Sequence, residues 1–87
     1  MHPGSVLADE MQARGLSSQA LALALRVPAN RISDIVRGRR GISAETALRL
    51  GRYLGTDAML WMNLQARHDL ATAEREHGAR IAREVAA

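Results

Sequence analysis

The chain has 87 residues and a formal net charge of +3, and all 12 of its basic residues are Arg, against 9 acidic residues. It contains no Cys and no Phe, so disulfides and thiolate metal sites are excluded, and Leu, Ile, Val and Met must fill the core. No apolar run reaches the ~18 residues of a membrane span, and the N-terminus lacks the apolar stretch of a signal peptide. We therefore expect one small cytoplasmic domain, with no cofactor, metal or membrane partner.

The first three predicted helices follow from apolar spacing and from the residues that punctuate it. The first runs from about Gly4 to Arg14. Ser17 or Ser18 is expected to cap the second helix, because a Ser side chain accepts from the first free N–H groups. Pro28 opens the third, since its fixed φ and missing N–H are tolerated at the first helical position.

Two further helices complete the predicted order. The fourth spans Ala44 to Leu54, and Thr56 or Asp57 caps the fifth, which continues past Ala71. The inward face of the fifth helix is predicted to comprise Leu60, Trp61 and Leu64, with the Trp61 N–H satisfied locally. We expect residues 1–76 to form the domain and residues 77–87 to be a tail that is loosely helical or disordered.

The second and third predicted helices have the pattern of a helix-turn-helix, spanning Leu16 to Arg40. In this motif two short helices pack at a steep angle, so apolar residues are needed at fixed places between them. Those places are taken by Leu21, Ala22, Leu25, Val27, Ile32 and Ile35. The motif predicts that the third helix projects its polar face into the major groove of DNA.

The polar side chains of this motif are candidates for contacts with DNA. At 100° per residue, Asn30, Asp34 and Arg37 form a stripe opposite the apolar face, flanked by Arg31 and Ser33. Arg, Asn and Asp can pair with base edges. Candidates for phosphate contacts lie on either side of this helix: Ser17, Ser18 and Gln19 before it, and Arg39 and Arg40 after it. Residues 26–40 carry five Arg and one Asp, a local charge of +4.

The remaining polar residues give no sign of catalysis or metal binding. The carboxylate pairs of the predicted helix surfaces have no Ser or His partner within reach. His68 and His77 are nine residues apart, which is not the i, i+4 spacing of a helical metal pair. The sequence therefore predicts a binding protein and not an enzyme.

Four segments resemble the HigA-type antitoxins, which are phage-repressor-like (XRE) helix-turn-helix proteins. These segments are His2-Pro3-Gly4, residues 28–33, residues 38–50 and residues 60–65, the last containing Trp61-Met62-Asn63-Leu64-Gln65. The span from His2 to Leu70 covers about four-fifths of the chain. The resemblance implies an all-α, five-helix lambda-repressor-like DNA-binding domain.

The resemblance also implies functions and residue roles. It implies a homodimer that binds an inverted-repeat operator in its own promoter and neutralises a RelE-like toxin that cleaves mRNA. The roles implied for base reading fall on Ala29, Asn30, Arg31 and Asp34, and those for phosphate contact on Ser18, Arg37, Arg39 and Arg40. One departure is Arg26, where such proteins usually have Gly; in a left-handed conformation Arg costs roughly 1 kcal/mol.

Dimerisation is also expected from geometry, because one short recognition helix contacts few base pairs and specificity calls for two half-sites. We predict that the fifth helix supplies the two-fold contact. Its candidate residues are Leu60, Asn63, Leu64, Arg67 and Leu70. We further expect Asn63 and Gln65 to point away from the core, onto a dimer or toxin surface, and the toxin to contact the first helix and the N-terminal segment.

Two other interpretations stay open at this point. The protein could be a stand-alone XRE-type repressor without a toxin, or a helical protein-interaction module that has lost DNA binding. A neighbouring gene for a small basic RNase-like protein would favour an antitoxin over a stand-alone repressor. A gel shift with upstream DNA that weakens steeply with salt would favour a DNA-binding protein over the interaction module.

Overall fold

The computed structural model describes residues 2–87, which form five helices joined by short turns. The helices are α1 (Pro3–Arg14), α2 (Ser18–Leu25), α3 (Ala29–Val36), α4 (Ala44–Leu54) and α5 (Ala58–Glu84). Residues 2–87 contain no strand, so the predicted all-α, five-helix fold is confirmed. Among these helices, none combines the length and the apolar composition that a membrane crossing requires.

The helix starts are set by local capping. Ser17 Oγ accepts the N–H of Ala20 at 3.0 Å, and Asp57 Oδ1 accepts the N–H of Met59 at 3.0 Å. These two residues, and not Ser18 or Thr56, are therefore the caps of α2 and α5. The prediction that Pro28 is the first residue of α3 is wrong by one position. Pro28 is the N-cap with an extended backbone (ψ 145°), and it supplies no side-chain hydrogen bond.

The core lies where the first four helices meet the first turns of α5. Its buried apolar residues are Leu7, Met11, Leu21, Ala22, Leu25, Ile32, Ile35, Ile42, Ala47, Leu50, Leu54 and Trp61. Burial of each large aliphatic side chain contributes roughly 1.5–3 kcal/mol relative to its exposure. Each apolar position predicted between α2 and α3 contributes to this core, with Val27 packed partly buried at its edge.

The N-terminal residues belong to the folded domain. The Nδ1 atom of His2 accepts the N–H of Gly4 at 2.9 Å and so caps α1, and Pro3 and Gly4 are buried. A Cβ at Gly4 would overlap the carbonyl oxygen of Ile35, so only glycine permits α1 to approach α3 this closely. Residues 2–4 therefore hold α1 against α3.

The start of α5 is fixed by Trp61, which is 1% exposed and donates its indole N–H to Thr56 Oγ1 at 2.9 Å. The prediction of a core Trp with a local partner is confirmed. The prediction that Leu60 is buried is wrong, since this residue is 43% exposed. It precedes Trp61 and is therefore rotated by ~100° around the helix axis from the buried face. Leu64 packs partly buried against the core.

Helix α5 extends well beyond the core. Its 27 residues continue without interruption to Glu84, which at the usual rise corresponds to ~40 Å. The molecule is accordingly elongated, with extents of 48 × 22 × 22 Å. Residues 77–84 lie in this helix, whereas the proposed division of the chain at residue 76 stays a prediction.

Candidate nucleic-acid interface

The turn between α2 and α3 is a tight left-handed turn centred on Arg26. The residue has φ 58° and ψ 47°. The N–H of Arg26 donates to the Leu23 carbonyl at 3.2 Å and the N–H of Val27 to the Ala22 carbonyl at 3.0 Å, the pair of bonds that defines a Schellman motif. A left-handed conformation costs a non-glycine residue roughly 1 kcal/mol. The strain anticipated at this position is therefore present, and the turn bonds hold it in place.

Helix α3 presents two chemically different faces. Ile32 and Ile35 are fully buried. On the opposite side Asn30 and Arg37 are exposed, as is Ala29 at the first turn. The partly exposed candidates on this helix are Arg31, Ser33 and Asp34. The polar stripe predicted for the third helix thus faces outward. Beside it, Ser33 Oγ donates a hydrogen bond to the Asn30 carbonyl at 3.2 Å.

A second Schellman motif fixes the turn that follows α3. Gly38 has φ 75°; its N–H donates to the Ile35 carbonyl at 3.0 Å, and the N–H of Arg39 donates to the Asp34 carbonyl at 2.8 Å. Arg39 and Arg40 are both exposed. The Arg39 backbone is therefore anchored to α3, while both arginines remain exposed to solvent.

This turn is also tied to α5 by Gln65. Its Oε1 accepts the N–H of Ile42 at 2.7 Å, and its Nε2 donates to Asp69 Oδ1 at 2.9 Å. A Cβ at Gly41 would lie 3.0–3.1 Å from the Gln65 amide atoms, so the side chain packs closely on the turn. The expectation that Gln65 points away from the core is therefore wrong, because its side chain bonds to the buried residue Ile42. This role was not predicted because Gln65 and Ile42 are 23 residues apart in the chain. The sequence signal that relates to it is the glycine at position 41, where a side chain would collide with Gln65.

The N-terminus of α2 completes the candidate surface. Ser17 and Gln19 are exposed and Ser18 is partly exposed. A helix N-terminus carries a partial positive charge and directs N–H groups outward, which suits a phosphate oxygen. The predicted site residues thus lie on three adjoining segments: the start of α2, the outer face of α3 and the turn after it.

The arginines of this surface have no anionic partner within residues 2–87. The arginine ion pairs of this part of the chain join Arg14 to Glu10, Arg49 to Glu45 and Arg80 to Glu84. The arginines outside these pairs that line the candidate surface are Arg31, Arg37, Arg39 and Arg40. Guanidinium groups that are not neutralised internally are available to an external polyanion.

The candidate dimer residues lie on a separate part of α5. Leu60, Asn63, Arg67 and Leu70 are exposed and Leu64 is half-buried, and Leu70 is 71% exposed. At 100° per residue these five positions share a stripe ~120° wide along the helix. We call them the α5 stripe.

These features define a class of protein: a helix-turn-helix domain whose second helix carries an outward polar face and whose following turn carries free arginines. A family model described as helix-turn-helix matches residues 7–61. The chain therefore belongs to the helix-turn-helix family, a family of DNA-binding regulators and not of enzymes.

The comparisons with solved structures extend over the whole chain. The chain is 49% identical to the Pseudomonas aeruginosa antitoxin HigA, solved with the higBA promoter, with a TM-score of 0.97 over 99% of this chain and 95% of that one. It is 40% identical to an addiction module antidote protein of a HigA family from Coxiella burnetii, with a TM-score of 0.96 over 100% and 96% of the two chains. The predicted resemblance to HigA-type antitoxins is confirmed.

A curated relative gives a further match. Virulence-associated protein I of Dichelobacter nodosus is 52% identical over 77 residues, which are 87% of this chain and 71% of that protein. The similarity thus extends past the matched helix-turn-helix region in this comparison as well.

Proposed function

We propose that the protein is a cytoplasmic antitoxin that represses its own promoter, binding operator DNA as a homodimer and neutralising a RelE-like toxin. The observation that carries this proposal is the arginine-bearing surface of α3 and its turn, which has no ion pair within residues 2–87. The similar P. aeruginosa HigA was solved with a promoter, which supports the same use of this surface.

In the proposed complex, the residues divide by their position on α3. Ala29, Asn30, Arg31 and Asp34 lie on the first turns and meet base edges, where Ala29 can contact only a thymine methyl group. The phosphate contacts come from Ser17, Ser18, Gln19, Arg37, Arg39 and Arg40, with Ser33 at the edge of the surface. The turn at Gly38 supports this division, because its bonds end α3 and hold the Arg39 backbone, so that Arg39 and Arg40 follow the helix rather than lying on its outer stripe.

Two copies are needed to read an inverted repeat, and the α5 stripe is the proposed two-fold contact. Its apolar members Leu60 and Leu70 are 43% and 71% exposed in the single chain, so association would remove apolar surface from water. Leu70→Glu would place a charge in this contact. Sedimentation equilibrium at micromolar concentration should then show a monomer, whereas the matched variant Leu23→Glu, on the exposed face of α2, should remain a dimer.

The proposed toxin surface is the exposed face of α1. Asp9 is exposed on this face, and a carboxylate there complements a basic RNase-like toxin. Removal of the N-terminal residues is a poor test, since His2 caps α1 and Gly4 packs against α3. Asp9→Arg tests the surface without disturbing the fold, and Glu76→Arg, on the distal part of α5, is the matched control.

Two experiments test the proposal as a whole. Footprinting on the native upstream DNA should show two protected half-sites centred about one helical turn, ~34 Å, apart. Co-expression with the neighbouring gene product should restore growth that this product alone arrests, and Asp9→Arg should abolish the rescue. Protection without rescue would favour the stand-alone repressor; the absence of protection would favour the module without DNA binding.

A further inference from the structure

Besides the surfaces described above, the protein has an open groove of about 500 Å³ between the C-terminal end of α2 and helix α4. We call it the α2–α4 groove. Its principal lining residues are Leu25, Arg26, Leu48, Arg49, Arg52 and Tyr53. Arg26 also belongs to the basic segment 26–40, but none of these residues lies on the α5 stripe, on α1 or among the proposed DNA contacts, so the uses proposed above leave this groove unexplained.

The groove exposes apolar surface that the fold does not cover. Leu48 is 65% exposed and Tyr53 47% exposed, while Leu25 below them is nearly buried. Apolar and aromatic side chains exposed together in a concave region are typical of protein contact sites. An apolar floor gives no advantage to a phosphodiester, whereas it suits the apolar side chains of a protein segment.

The charges around this floor all have one sign. Arg26, Arg49 and Arg52 line the groove, and no acidic residue does. Arg49 is held in place because its Nη1 donates to the Leu25 carbonyl at 2.9 Å, at the C-terminus of α2. A guanidinium that is already anchored loses less conformational entropy when it binds a carboxylate. Arg49 Nε also pairs with Glu45 Oε1 at 3.6 Å, and this pair is exposed enough for a second carboxylate to reach the guanidinium.

We propose that the α2–α4 groove binds an acidic amphipathic segment of a partner protein. The apolar side chains of the segment pack on Leu48 and Tyr53, and its carboxylates pair with Arg49, Arg52 and Arg26. This is the helix-in-groove mode of recognition, with specificity for acidic ligands set by the three arginines. The proposal is independent of the DNA, dimer and toxin contacts proposed above.

The test uses the full chain and two synthetic helical peptides, followed by ¹⁵N-resolved NMR titration. One peptide repeats Leu at i, i+3 and i+7 with Glu between them, and the other carries Lys at every Glu position. The acidic peptide should shift amide signals of residues 24–26 and 48–53 and bind with a Kd below about 1 mM. The basic peptide should bind at least about ten-fold more weakly.

Variants of exposed groove residues make the test specific. Leu48→Ser and Arg52→Glu should each weaken the acidic peptide by about ten-fold or more. Two matched controls lie outside the groove: Leu23→Ser, at a side chain 74% exposed on α2, and Arg80→Glu on distal α5. Both controls should bind the acidic peptide like the parent chain, and all four proteins should keep the parent melting curve.

Four results would overturn the proposal. They are equal affinity for the two peptides, shifts confined to other surfaces, no binding up to about 1 mM, or equal losses in the control variants. Two further outcomes would assign the groove to another occupant. A monomeric Leu48→Ser variant would mean that a second copy covers the groove, and a loss of operator affinity in Arg52→Glu equal to that in Arg39→Ala would mean a phosphate contact.

Discussion

The bond between Gln65 and Ile42 provides a sharp test of how the turn after α3 is held. Gln65 Oε1 is the acceptor for the Ile42 N–H at 2.7 Å, and Ile42 is 3% exposed. Gln65→Met keeps the length of the side chain but removes the acceptor. A buried N–H left without a partner costs about 1–3 kcal/mol. For a domain of this size each kcal/mol lowers the Tm by roughly 4–8 °C.

Thermal unfolding followed by circular dichroism measures this loss. Protein concentration must be held constant, because the proposed dimerisation would make the Tm depend on it. Gln65→Glu keeps an acceptor for Ile42 but places a negative charge four residues before Asp69, and this repulsion costs about 0.2–0.5 kcal/mol. The Tm of Gln65→Glu should therefore lie between those of the parent chain and Gln65→Met. The matched control is Gln12→Met, at an exposed glutamine of α1, which should melt with the parent chain.

Hydrogen exchange supplies a second readout at the bond itself. The amide of Ile42 should exchange faster in Gln65→Met, while amides in the middle of α2 keep their protection relative to global unfolding. A Gln65→Met variant within about 0.5 kcal/mol of the parent, with unchanged exchange at Ile42, would refute the argument that this bond fixes the turn.

Three other substitutions probe the backbone and the N-terminal cap. Arg26→Gly should raise the free energy of unfolding in urea by roughly 0.5–1 kcal/mol, because φ 58° is unstrained for Gly. Arg26→Ala should bring no such gain, and equal effects of the two substitutions would contradict backbone strain at this position. Gly4→Ala should cost about 1–3 kcal/mol in the same assay, because its Cβ would overlap the Ile35 carbonyl, and a neutral result would contradict that close approach. Burial and the neighbouring His68 lower the pKa of His2, and Asp69 opposes them with a smaller effect. The neutral form of His2 therefore stabilises the fold above about pH 6.5. This contribution is lost as the pH falls through the lowered pKa. His2→Asn keeps a capping acceptor without titrating, so its unfolding free energy should fall less between pH 7 and pH 5; parallel pH profiles would contradict this role.

Much of the fold could be predicted because its determinants are local. The caps Ser17 and Asp57 bond to N–H groups two or three residues further along the chain, and the buried Leu21 and Leu25 are one helical turn apart. Trp61 could be assigned to the core for the same reason, since its partner Thr56 is five residues away.

The missed features depend on contacts between distant parts of the chain. Gln65 reads as a surface residue until α5 is placed beside the turn at Ile42. His2 reads as a terminal residue until its ring is found 4.6 Å from that of His68. Polar side chains carry no periodic signal that reveals such partners. Leu60 was misplaced because the register of α5 is set by packing around Trp61, and apolar character alone did not determine it.

The central claim is that the outer face of α3 reads bases and the arginines after it hold phosphates. Fluorescence anisotropy with the native upstream DNA, at several salt concentrations, measures both roles in Arg39→Ala and Asn30→Ala. In the proposed dimer, loss of Arg39 from both protomers should lower the affinity for every DNA sequence alike and reduce the log–log salt slope by roughly 2, at ~0.9 per contact.

Loss of Asn30 should instead reduce the discrimination between operator and altered half-sites by about 1–3 kcal/mol and leave the salt slope unchanged. Arg80→Ala is the matched control, because Arg80 lies on distal α5 and pairs with Glu84. This control should bind DNA like the parent chain. Unchanged affinity, salt slope and discrimination in Arg39→Ala and Asn30→Ala, or an equal loss in Arg80→Ala, would contradict the central claim.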